Sequence, residues 1–208
     1  MARVESQLAY LAALTNAQHL VVTDSSNGDN WIVANLTGTV TEYNDLYCRA
    51  LTGAAELAGS LGKGGVAASL KAQAALVKEA INDTLFNAAT GVYDLSDSNR
   101  SVFAQDANAE AVLFGVAPAT QAVSILQKTD AALNTPHGPL AFSSTSGLSH
   151  LISPLASGFD VHAHFEAGDA AGALHLIRTL WGAMRSRPAV LLRCHLGGTG
   201  AQRLATIP

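Results

Sequence analysis

The chain has 208 residues, 49% of them hydrophobic and only 13% charged, with a formal net charge of −4. At that length a single domain with a sizeable core is the default, and hydrophobicity this high excludes a disordered chain. The acidic balance supplies no basic field for nucleic acid or anionic lipid, and no apolar run approaches the roughly 18 residues of a membrane span. The start, MARVESQLAY, lacks the charged, apolar and small-residue pattern of a signal peptide, so localisation is left unassigned. Two cysteines, Cys48 and Cys194, are too few for a disulfide framework or a cysteine-built zinc site.

Hydrophobic spacing reads as mostly helical. Val4, Leu8, Leu11 and Leu14 predict a helix over 3–15. HLVVTD (19–24) reads as a short strand and DSSNGDN (24–30) as a polar loop. A helix over 41–58 follows, with Leu46, Ala50 and Leu57 on its apolar stripe and Thr39 or Thr41 as its cap. After the turn GSLGKGG comes the clearest stripe: Val66, Leu70, Ala74, Val77, Ile81 and Leu85 predict a helix over 65–86. It runs into FNAATGVYD, where Gly91 suits the positive φ of a tight turn. Asp106 or Asn108 opens a helix to about 116, and Pro118 sits in the first turn of one over 119–133. The irregular stretch 134–154 leads to helices over 155–167 and 169–184. Paired helices with alternating short and long links predict an all-α array of antiparallel hairpins. From residue 185 the chain is arginine-rich, acid-free and aperiodic, and reads as an irregular basic tail (185–208) after a folded unit (1–184).

The chemistry-bearing motifs are few. GSLGKGG lacks the Ser or Thr of a P-loop, and GLSHL is not a hydrolase elbow. In DVHAHF (160–165), positions four apart share a helix face, so Asp160 and His164 converge while His162 points away. Two ligands fall short of a metal site, and no metal or other cofactor is expected. QDANAE (105–110) offers Asp106 and Asn108 as helix cap or as sugar-binding groups, and TEYND (41–45) offers Glu42 and Asp45 on neighbouring positions of one helix. Three sequons, at Asn35, Asn82 and Asn99, fit a secreted ancestry.

Taken together, TEYNDLYCRALTGAAELA (41–58), INDTLFNAATGVYD (81–94), SVFAQDANAEAVLFGVA (101–117) and ISPLASGFDVHAHFEAGDAAGALHLIRTLWGAM (152–184) resemble the catalytic domain of α-L-rhamnosidases of the six-hairpin glycosidase type. The resemblance runs in order from about residue 4 to 184. It implies an (α/α)6 toroid, here incomplete, and metal-independent, inverting cleavage of terminal L-rhamnose from a glycoside. It also implies a pocket at one end of the toroid, bordered here by Asp24, Asp29, Trp31, Glu42, Asp106, Asn108, Asp160, His164 and Trp181. Carboxylates and amides would bind sugar hydroxyls, and an aromatic face the apolar 6-deoxy side.

The chain departs from the family where the chemistry lies. The acidic Asp-Cys-x-x-Arg run that supplies the general acid is missing, and the glutamate base expected after LIRTLWG is replaced by the basic tail. No catalytic residue is therefore carried over. The expectation is a partial glycosidase domain that contacts a carbohydrate without cleaving it. The alternative is a non-catalytic carbohydrate-binding or helical interaction module. Neither nucleic acid nor membrane is an expected partner.

Overall fold

The computed structural model describes residues 1–24, 26, 36–143 and 151–186. Among them are seven helices: α1 (Ala2–Ala13), α2 (Thr41–Ser60), α3 (Gly64–Leu85), α4 (Gln105–Leu113), α5 (Ala122–Leu133), α6 (Pro154–Glu166) and α7 (Ala170–Ser186). A two-stranded antiparallel ribbon, β1 (Phe86–Asn87) and β2 (Val92–Tyr93), pairs Phe86 with Tyr93. The protein is all-α, as the periodicity predicts. The tail expected from 185 lies outside the described residues beyond Ser186.

Three hairpins form the body: α2 packs on α3, α4 on α5, and α6 on α7. The first helices of the three also touch in series, α2 to α4 to α6, while α1 lies against α2. This makes an inner row of α2, α4 and α6 with α3, α5 and α7 behind it. One continuous core joins the layers through Leu51 and Ala55 of α2, Leu70, Val77 and Ile81 of α3, and Ile125 and Leu126 of α5.

The α3 stripe is buried as expected from Leu70 through Leu85, with Val66 packed at its edge. The face assigned to α2 is corrected. Leu46 and Leu57 are each 43% exposed, and the buried side carries Tyr47, Cys48, Leu51, Ala54, Ala55 and Ala58. Small side chains let the α2 and α3 backbones approach closely, and this outweighs burying the two leucines. Leu46 instead lines a groove of about 470 Å3 between α1 and α2, with Tyr10, Leu14 and Tyr47.

Local starts also differ from the sequence reading. Val40 precedes α2 without a side-chain cap, and the Thr41 hydroxyl donates to the Asp94 carbonyl instead. Helix α4 begins at Gln105 after an extended Ala104, so neither Asp106 nor Asn108 caps it. Pro118 lies four residues before α5, in a turn closed by the Gln121 N–H on its carbonyl. Helix α6 has the expected kind of start, Ser153 capping the Ala156 N–H with Pro154 in the first turn, and Asp169 caps the Gly172 N–H at the start of α7. HLVVTD forms isolated bridges rather than a strand. Gly91 does take a positive φ, +74°, at the ribbon turn.

Two buried asparagines fasten extended backbone to the inner helices. The Asn44 side chain accepts from Val21 N–H and donates to Val21 and Val40 carbonyls. Asn108 does the same with Tyr93, and also donates to Ala104. A carboxamide reproduces the donor–acceptor pair of a strand neighbour, so backbone that would be buried unpaired is satisfied.

Truncating Leu51, fully buried between α2 and α3, should destabilise the fold by about 2–5 kcal/mol. Leu57→Ala should cost less than about 1 kcal/mol. Equal losses in urea denaturation would contradict the facing of α2.

Candidate functional site

Helix α4 is buried on every side: all eight residues from Gln105 to Val112 are buried. Its polar residues therefore face protein in several directions. Asn108 turns to β2, Gln105 turns to α6, and Asp106 and Glu110, one turn apart, act on Asp45 of α2.

That last direction gathers an acidic cluster. Asp45 is fully buried, Asp106 and Glu110 are 3% exposed and Glu42 is 7% exposed. Neither carboxylate oxygen of Asp45 has a hydrogen-bond partner among the described residues, nor does Oε2 of Glu110. Burial first, then the charges of Glu110, Glu42 and Asp106, hold the Asp45 carboxyl well above the usual range. Burial followed by Glu42 and Asp106 pushes Glu110 up to about 9. Glu110 therefore keeps its proton at neutral pH, and the same causes favour the protonated form of Asp45, since like charges held together out of water cannot all ionise. In that form a carboxyl is an O–H donor as well as an acceptor. That chemistry suits hydroxyl-rich ligands and proton transfer.

The Cys48 thiol below this cluster is pushed up to about 11, chiefly by burial, which makes it a packing group rather than a nucleophile.

On the other side of α4, Gln105 Nε2 donates to Asp160 Oδ2 at 2.8 Å. Asp160 Oδ1 lies 3.6 Å from His164 Nε2, the convergence that the four-residue spacing predicts, and His162 is exposed. Two further carboxylates close around the same ring: Asp130 Oδ2 of α5 is 3.0 Å from Nε2, and Asp169 Oδ2 is 3.1 Å from Nδ1. Burial opposes a charged imidazole, but Asp130, Asp160 and Asp169 outweigh it and hold the His164 pKa above its ordinary value. Burial and the Asp130 charge raise Asp160. The Gly172 N–H, which Asp169 Oδ1 accepts, keeps Asp169 low.

The pocket residues expected from the sequence are thus divided. Glu42 and Asp106 share the acidic cluster, Asp160 and His164 share the imidazole cluster, and Asn108 is engaged by backbone. Asp24 is exposed and accepts from Ser26. Trp181 packs as a half-buried ring beside Val161, Ala173 and Leu176. Asp29 and Trp31 lie outside the described residues. Asp45 and Glu110 complete the acidic cluster. Their spacing, three after Glu42 and four after Asp106, is a sequence signal of a shared helix face.

No family model and no curated protein matches the sequence. Solved structures do match its fold. A GH78 family rhamnosidase of Bacillus sp. GL1 aligns over 89% of this chain and 19% of its own, at 24% identity and a TM-score of 0.69. A rhamnosidase from Klebsiella oxytoca with rhamnose bound aligns over 88% of this chain and 32% of its own, at 18% identity and 0.65. Neutral trehalase Nth1 from Saccharomyces cerevisiae aligns over 86% and 36%, at 12% identity and 0.60. The chain has the helical-hairpin fold of the six-hairpin glycosidases, and spans between about a fifth and a third of the two rhamnosidases.

The acidic cluster sets a pH dependence. Glu110 keeps its proton in the folded state to about pH 9 but loses it near 4.5 when unfolded. Its contribution to stability is therefore full below about pH 4.5 and is lost as pH rises toward 9. Glu110→Gln keeps the shape and cannot ionise, so it should stabilise the fold by roughly 1–3 kcal/mol at pH 7 and by little at pH 4.5. Urea denaturation of both proteins across that range reads the difference, and parallel pH profiles would contradict the buried acid.

Proposed function

We propose that this chain is part of a rhamnosidase-type glycoside hydrolase, and that by itself it binds a sugar without cleaving it. The observation that carries this reading is the fold: three hairpins, with α2, α4 and α6 in an inner row, superpose on GH78 rhamnosidases over nearly nine-tenths of the chain. The order of the segments resembling the α-L-rhamnosidases supports it independently. Glu42 and Asp106 are the ligand contacts in this reading, drawing on an acidic cluster rich in donors and acceptors. Asn108 pairs with the β2 backbone, and Asp160 and His164 belong to the separate imidazole cluster between α5 and α6.

Inverting hydrolysis needs one carboxyl to protonate the leaving oxygen and another to activate water, about 6.5–9.5 Å apart. In the family the acid comes from a motif this sequence lacks, and the base from a glutamate after the last helix. Without them, the general acid–base contribution of about 10²–10⁴-fold each is lost. A second reading, a helical interaction module, draws on the α1–α2 groove, where Tyr10 is 62% and Leu46 43% exposed.

The purified chain should leave an aryl α-L-rhamnoside uncleaved above background while L-rhamnose raises its melting temperature. Glu42→Ala and Asp106→Ala should each abolish that shift with unchanged far-UV circular dichroism. Turnover by the wild type that either substitution abolishes would place catalysis inside this chain. No response to L-rhamnose, together with dimerisation reversed by Leu46→Glu, would favour the interaction module.

A further inference from the structure

His164 is fully buried with three carboxylates around one ring. Its Nδ1 faces Asp169, whose other oxygen accepts the Gly172 N–H. A carboxylate in that place accepts a hydrogen bond from Nδ1–H and, once Nε2 gives up its proton, leaves the Nε2 lone pair outward, the tautomer and orienting partner that metal-bound histidines use. Nε2 is aimed at Asp130 Oδ2, 3.0 Å away, and Asp160 Oδ1, 3.6 Å away. One ligand atom from each of Asp130, Asp160 and His164 lies within 4.8 Å of the others. Metal–ligand bonds of about 2.0–2.2 Å in a tetrahedron put ligand atoms roughly 3.4 Å apart, so the cluster needs small side-chain adjustments to close on an ion.

The charges lead to the same place. A single Nε2 proton cannot serve two carboxylates, and Asp160 is 1% exposed, out of reach of solvent screening. A dication in place of that proton neutralises both. The surroundings are those of a supported ligand set. Gln105 Nε2 holds Asp160 Oδ2 at 2.8 Å and leaves Oδ1 toward the cluster. Asp130 Oδ1 is buried without a hydrogen-bond partner among the described residues, while the Asp130 side chain as a whole is 25% exposed. A cavity of about 190 Å3 opens beside Asp130, between Asn134 and His175. It gives an ion access and gives a water the fourth position.

We propose that Asp130, Asp160 and His164 form a binding site for a divalent first-row transition cation, which staples the second hairpin to the third. One imidazole with two carboxylates favours zinc or manganese over calcium, which takes oxygen ligands in larger number. The site stands apart from the sugar reading, since Glu42 and Asp106 take no part in it.

The test uses the full chain, stripped with EDTA and titrated with Co2+ and Zn2+. Cobalt should give visible d–d absorption that saturates at one equivalent. Zinc at a hundredfold excess over Kd should raise the melting temperature by about 5–10 °C. Asp130→Asn, at a partly exposed position, should lose both responses while staying folded by circular dichroism. Asp160→Asn, which keeps an acceptor for Gln105, should do the same. A Cys194→Ser/His195→Gln variant and His162→Gln should keep them. Absence of cobalt absorption, an unchanged response in either aspartate variant, or its loss in the Cys194/His195 control would overturn the proposal.

Discussion

The structure depends on one helix having no exposed side. Every residue of α4 from Gln105 to Val112 is buried, because α2, α5, α6 and the ribbon all pack against it. An ordinary amphipathic helix sends its polar residues to water. Helix α4 has no such outlet, so Gln105, Asp106, Asn108 and Glu110 must each find or form a polar environment inside the protein. Asn108 replaces a strand partner for Tyr93. Gln105 orients Asp160. Asp106 and Glu110 have acidic neighbours on α2, where the Asp45 carboxyl and Oε2 of Glu110 have no hydrogen-bond partner among the described residues.

That lack is informative because of its energetics. An isolated buried carboxylate is expensive enough that the group favours its protonated form instead, and both Asp45 and Glu110 are shifted in that direction. Replacing such groups by apolar residues of similar volume is commonly neutral or stabilising, so fold stability gives no reason for four acids to meet here. Strained electrostatics in a protein interior often marks a place where chemistry or binding is done. The acidic cluster lies between the inner helices α2 and α4, whereas the imidazole cluster centres on a histidine with both ring nitrogens engaged. The two networks therefore do different work. One gathers carboxyl groups alone between α2 and α4, and the other ties α5, α6 and the start of α7 together around one imidazole.

Much of this was legible in the sequence, and the rest was hidden for definite reasons. The α3 stripe was readable because its apolar residues are large and its off-stripe residues are lysines and acids. The α2 face was not, because a helix dense in alanine offers several stripes of similar hydrophobicity. Small residues take the closest contact even where leucines are to hand. The Asp160–His164 pair follows from four-residue spacing alone. Asp130 is 34 residues away from His164 on another helix, and only tertiary packing brings it in. Asp45 was read beside Glu42 on one helix, and Glu110 was within reach, one turn after Asp106, but only the packing of α2 on α4 brings the two pairs together. Asn44 and Asn108 carry no such signal, since an asparagine within a helix reads as a weak helix former until the backbone it clamps is known.

The unusual composition and the buried polar networks have a common origin. Charged residues are scarce, yet at least six of the sixteen acidic ones are buried: Glu42, Asp45, Asp94, Asp106, Glu110 and Asp160. Such a concentration can exist only where helices lie close enough for their side chains to interact across the interface. Ala107, Ala109 and Ala111 in α4, all at most 1% exposed, provide that closeness. Larger residues at those positions would hold α2 and α6 farther off, let water between the carboxylates and screen them toward ordinary behaviour. With alanine there, Asp106 and Glu110 act directly on Asp45, and Gln105 reaches Asp160. The alanine content that looks like featureless helix-forming sequence is thus the condition for both polar clusters.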